Sequence, residues 1–108
     1  MKIYVIAAIS GVALMLSGQT MAADFDAGKS KAAEACASCH GADGNSPAPN
    51  FPKIGGQHRT YIAQVLNEYK SGTRVDPIMA GMAAALSEED IDNLAFYYSG
   101  QSGSLNSD

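Results

Sequence analysis

Two stretches of the chain repeat apolar residues at helical spacing. Ile62, Val65, Leu66 and Tyr69 stand at i, i+3, i+4 and i+7, and Gly72 follows as a stop, predicting a helix over 60–71. Ile91, Leu94, Ala95 and Tyr98 form a second stripe that ends at Gly100. Its start is written plainly. Ser87 is a natural N-cap, Asp90 stands where a capping box needs a carboxylate, and Leu86 can meet Ile91 across the cap as a hydrophobic staple. The residues from Asp24 to Ala35 are rich in Ala, Lys and Glu, which predicts a first helix running straight into Cys36 to His40.

Between these helices lie two irregular stretches. Residues 41–57 carry Pro47, Pro49 and Pro52 among Gly and Asn, so the expectation is a loop that wraps something. Residues 73–85 contain Pro77 and Gly81 and are also expected as a loop, one that holds Ile78, Met79 and Met82. Strand-like alternation is absent from the pattern. The fold class expected is all-α, with three main helices and irregular loops.

The first 23 residues follow a different pattern. Lys2 precedes Ile3 to Ile9 and Val12 to Leu16, then Ser17-Gly18-Gln19-Thr20 and the small residues Ala22 and Ala23. This apolar stretch is shorter than the roughly 20 residues of a spanning helix, and it reads as a secretory signal peptide. Cleavage after Ala22 or Ala23 would leave a domain over 24–108 and place it in the periplasm. The full chain has a net charge of −4, and loss of Lys2 makes the exported part −5, with 6 basic against 11 acidic residues. Such a balance argues against a nucleic-acid partner. A domain of this size also needs a staple, because it buries too little surface to be stable on apolar packing alone.

Cys36-Ala37-Ser38-Cys39-His40 supplies a candidate for that staple. Two cysteines two residues apart and followed by histidine form the attachment pattern of c-type haem, in which two thiols reach the porphyrin vinyl groups and the imidazole reaches the iron. A thiol-redox pair would expect a βαβ context that is missing here. A zinc site would need a fourth ligand, for which only His58 offers nitrogen. For the second axial position of a haem iron the candidates are Met79, Met82, His58 or an open site. Met79 is preferred, because Asp76-Pro77-Ile78 stiffens its approach and its distance from His40 lets the chain return on the opposite face of a ring.

From about Asp26 to Gln101 the chain resembles a small monohaem class I cytochrome c of the bacterial type, and one half of the tandem dihaem cytochromes of that class. The resemblance rests on Cys36 to Asn45, on Ala48 to Ile54 with Gly56-Gln57, and on Leu86 to Ile91 leading to Tyr97. It implies a class I cytochrome c fold around one covalent haem c, with thioethers from Cys36 and Cys39 and iron ligation by His40 and Met79. It also implies a crossing of the first and last helices with Gly28 close to Tyr97, and a hydrogen bond from His40 to the Pro49 carbonyl. Phe51, Ile54, Ile62, Leu66 and Ile78 would wrap the ring.

With both axial positions filled, the expected role is an electron carrier rather than an enzyme. Its expected partners are a redox protein donor and acceptor of the respiratory type, met transiently by a monomer, with no nucleic acid and with a membrane reached only through a membrane-bound partner. The alternatives are a haem-based ligand sensor and a haem subunit of a larger redox complex. Glu88, Glu89, Asp90 and Asp92 read most simply as a solvated helix start that complements the macrodipole.

Overall fold

The computed structural model describes residues 2–5, 7, 8, 11 and 22–106, and most of the expected signal segment lies outside these residues. Five helices follow in order: α1 Phe25–Ala35, α2 Ala37–His40, α3 Arg59–Ser71, α4 Pro77–Ala84 and α5 Glu88–Ser99. No strand occurs among the described residues. No helix of the described residues is long and apolar enough to cross a membrane.

α1 starts where Asp24 caps it, its carboxylate accepting from the Ala27 amide at 2.9 Å. The Asp24 amide in turn donates to Asn93 Oδ1 of α5 at 2.7 Å, so the cap also ties the two helices together. The expected continuous run into His40 is interrupted. Cys36 departs from helical geometry, with φ −119° and ψ −34°, and α2 restarts as a single turn beyond it.

α5 carries the capping box expected of it. Ser87 Oγ accepts from the Asp90 amide and Asp90 Oδ2 accepts from the Ser87 amide, each at 3.0 Å. These bonds hold the Asp90 carboxyl below the usual carboxylate range. Leu86 and Ile91, the two halves of the staple, are both buried in the core cluster with Leu94, Ala95, Tyr97 and Tyr98. The end of α3 is tied to the same region, because the Lys70 ammonium donates to the Leu86 carbonyl.

The second expected loop is in fact helical over Pro77–Ala84. Pro77 and Gly81 suggested a break, but proline in the first turn of a helix lacks an amide that would be unsatisfied there in any case. Asp76 completes the start by accepting from the amides of Ile78 at 3.0 Å and Met79 at 2.8 Å. α4 then packs on α3, and Ala83 is fully buried.

α1 and α5 cross closely at Gly28. A Cβ placed on Gly28 would lie 2.1 Å from the Asn93 carbonyl oxygen and 2.9 Å from Tyr97 Cβ. Only hydrogen fits between those backbones. Gly28→Ala is therefore expected to destabilise the protein by about 1–3 kcal/mol, the usual cost of overpacking, visible as a lower midpoint in thermal unfolding. Gly81→Ala, whose added methyl meets nothing within 4 Å, should shift the midpoint slightly upward as a helix-interior glycine is removed.

Candidate functional site

A cavity of about 560 Å³ lies at the centre of the domain. α3 and α4 form one side of it with Ile62, Leu66, Ile78, Met79 and Met82. Cys36, Cys39 and His40 form another, and the first loop closes it with Phe51, Pro52 and Ile54. This is within the size range of cofactor sites and is lined mostly by apolar side chains. Residues far apart in sequence are thus brought to one space. Pro49 and His58 are not part of its wall.

The local backbone explains the arrangement of the attachment residues. The amides of Cys39 and His40 both donate to the Cys36 carbonyl, at 3.2 and 2.9 Å, so one tight turn carries both thiols and the imidazole. Both cysteines are free and half-buried. Burial pushes the Cys36 thiol up from its ordinary value, partly offset by the neighbouring Tyr98 hydroxyl. Among the described residues no three His, Cys, Asp or Glu side chains converge as a closed metal cage requires.

His40 is buried, and its Nδ1 lies 2.8 Å from the carbonyl oxygen of Pro52. This corrects the expected bond to Pro49, which is exposed and lies three residues too early. The displacement has a local cause. Ser46 adopts a left-handed conformation, φ 58°, and its hydroxyl sits within hydrogen-bond reach of the carbonyls of Ala48 and Phe51, at 2.7 and 2.6 Å. The Pro47–Phe51 stretch is thereby folded back on itself, and Pro52 is the residue delivered to the imidazole. With Nδ1 donating to a carbonyl, Nε2 is the nitrogen left free to bind a metal.

The thioether side of the cavity depends on α4. Met79 and Met82 are one helical turn apart and both line the space, with Met79 half-buried and Met82 41% exposed. His58, the other candidate ligand, is exposed at the N-cap of α3. Sequence patterning missed several residues of the wall. Tyr98 was read only as core, whereas it borders the cavity beside Cys36. Arg74 also lines it, held by Glu68 Oε2 at 3.0 Å from its Nε and lying over the Tyr69 ring. No spacing rule marks a residue that reaches a cavity from a loop.

The donor set fits one kind of group. Two thiols and an imidazole on one turn, thioethers on a facing helix and apolar walls between them match a flat apolar macrocycle attached at two points and ligated through its metal. The molecule is thus a helical domain folded around a c-type haem site.

The family model of cytochrome c matches residues 25–100. Cytochrome c4 of Pseudomonas aeruginosa is 45% identical over 93 residues, covering 85% of this chain and 46% of that protein. Cytochrome c-554(548) of Halomonas halodenitrificans is 41% identical over 83 residues, covering 74% of this chain and 99% of that protein. The crystal structure of reduced recombinant cytochrome c4 from Pseudomonas stutzeri superposes with a TM-score of 0.70 at 43% identity, over 77% of this chain and 48% of that one. The chain belongs to the cytochrome c family, whose cofactor is covalently bound haem c. It spans about half the length of the c4 relatives.

Asp76 caps the helix turn that carries Met79. Asp76→Ala removes both bonds that start α4, and the amide exchange of Ile78 and Met79 is expected to quicken by about 5–30-fold, as loss of an N-cap worth about 1–2 kcal/mol requires. Hydrogen exchange followed by NMR checks this, with Asp76→Asn expected to retain most of the protection.

Proposed function

We propose that the chain is an exported one-electron carrier that works in the periplasm on a single haem c ligated by His40 and Met79. The observation that carries the reading is the convergence of Cys36, Cys39, His40 and Met79 on one cavity. Bound there, haem iron supplies reversible one-electron chemistry. The residues supply the rest.

In this reading Cys36 and Cys39 form the two thioethers, which fix the cofactor to α2 and serve as the staple that a small domain needs. His40 Nε2 would be one ligand of its iron, oriented and made more electron-rich by the bond from its Nδ1 to the Pro52 carbonyl. The Met79 sulfur, in the first turn of α4, would be the other. Histidine with methionine raises the potential of a haem, and apolar neighbours such as Phe51, Ile54, Ile62 and Leu66 raise it further by disfavouring the more highly charged ferric state. Ligation by both side chains would leave no open coordination site for a substrate, as suits a carrier.

The partners proposed are a respiratory-type donor and acceptor, engaged transiently by a monomer. Ile78, 65% exposed, and Met82 border the cavity at the surface and form the apolar rim at which such partners would meet the haem edge. The acidic residues at the start of α5 need no partner to account for them. Glu88, Glu89 and Asp90 stand in its first turn, where they complement the macrodipole.

Substitution of the two methionines tests the reading. Met79→Ala should abolish the far-red ferric band of sulfur-ligated haem, lower the potential and let carbon monoxide bind the ferrous protein, while Met82→Ala should keep the band. The reverse pattern would move the ligand to Met82, and carbon monoxide binding by the unmodified protein would favour a sensor. Cys36→Ala should sharply lower the yield of folded holoprotein after export, measured by haem stain beside an immunoblot.

A further inference from the structure

Two tyrosine hydroxyls at the end of α5 reach the backbone immediately after His40. Tyr97 Oη donates to the Ala42 carbonyl at 2.5 Å and Tyr98 Oη to the Gly41 carbonyl at 3.3 Å. α5 also grips the first loop beyond that turn, because the Gly56 amide donates to the Tyr98 carbonyl at 2.9 Å. Both rings are buried, Tyr98 to 1% exposure. Burial keeps the Tyr98 phenol protonated far above the ordinary tyrosine range, so it remains a donor at any working pH.

The turn they hold has little freedom of its own. Gly41 and Gly44 have φ of 86° and 77°, and a Cβ on Gly44 would lie 2.8 Å from Tyr98 Cδ1. The His40 carbonyl is taken by the Ser46 amide at 2.8 Å. The imidazole of His40 therefore hangs between two anchors on different parts of the chain. Its Nδ1 is tied to Pro52, and its backbone is tied through Gly41 and Ala42 to α5.

We propose that Tyr97 and Tyr98 are positioning residues for His40, their hydroxyls holding the turn so that the Nδ1 bond to Pro52 stays short and the imidazole stays electron-rich. The proposal rests on the reading that His40 ligates the iron. A carbonyl that accepts from the imidazole increases the basicity of Nε2 and so favours the ferric state. Loosening the turn should weaken that bond and raise the potential.

The test is the holoprotein carrying Tyr97→Phe and Tyr98→Phe together. The rings and their mutual packing, with centroids 5.1 Å apart, are retained while both hydroxyls are lost. The His40 Nδ1–H in the ferrous protein, observed by NMR, is expected to exchange about tenfold faster, as loss of one to two hydrogen bonds near the ring would give. The midpoint potential should become more positive, while the far-red band persists and amide exchange in α3 stays as in the unmodified protein. If Nδ1–H exchange and potential are both unchanged, or if exchange quickens equally in α3 with no change of potential, the hydroxyls only support packing and the proposal is overturned. Each single variant repeats the same comparison should the double variant fail to accumulate. His40→Ala separates the two levels of the argument. A holoprotein with the unmodified spectrum would remove His40 from the iron and take the proposal down with that reading, whereas loss of the low-spin spectrum beside unchanged Tyr variants would defeat the proposal alone.

Discussion

The contact between α1 and α5 at Gly28 is the constraint on which the other parts depend. With no side chain between the backbones, the Asn93 carbonyl and Tyr97 Cβ come against α1, and Asn93 Oδ1 takes the Asp24 amide that starts that helix. A helix pair this close positions its far ends firmly. Beyond the crossing lies Cys36, where α1 breaks, and at the crossing itself stands Tyr97, which with Tyr98 reaches over the turn beyond His40. The attachment segment is therefore held against α5 before any other element is considered.

What this pair leaves open is the side on which α3 and α4 pack. Ile62 and Leu66 of α3 face the same region as Leu94 and Tyr98 of α5, yet the four helices do not close on one another. They leave the cavity. Interiors are normally packed to crystal density, and a hole of this size in so small a domain is costly unless a bound group completes it. The apolar core and the cofactor site are accordingly one structure, sharing Ile54, Ile62, Leu66, Leu86, Leu94 and Tyr98.

The two axial candidates are held in different ways. His40 is buried and has its free nitrogen selected by a backbone carbonyl, an arrangement built from a left-handed serine, a folded-back proline segment and a pair of tyrosines. Met79 stands in the first turn of an eight-residue helix that Asp76 caps and that packs on α3.

Much of the site was legible in the sequence because its chemistry is local. Cys36, Cys39 and His40 lie within one turn, and the cap of α5 within four residues, so spacing alone predicts their roles; the apolar periodicity likewise places α3 and α5. Distance along the chain defeated the rest. α4 was read as a loop because Pro77 and Gly81 look like breakers, although the Asp76 cap makes Pro77 a helix start and packing on α3 supports the remainder. The carbonyl that meets His40 is that of Pro52 rather than Pro49, since the fold of residues 46–52 depends on where the Ser46 hydroxyl points. The reach of the Tyr97 and Tyr98 hydroxyls to residues 55 and 57 positions away is set by the helix crossing alone. Short-range spacing determined which groups are available, and only the tertiary packing of α1 on α5, of α4 on α3 and of the 46–52 loop on His40 decided how they are held.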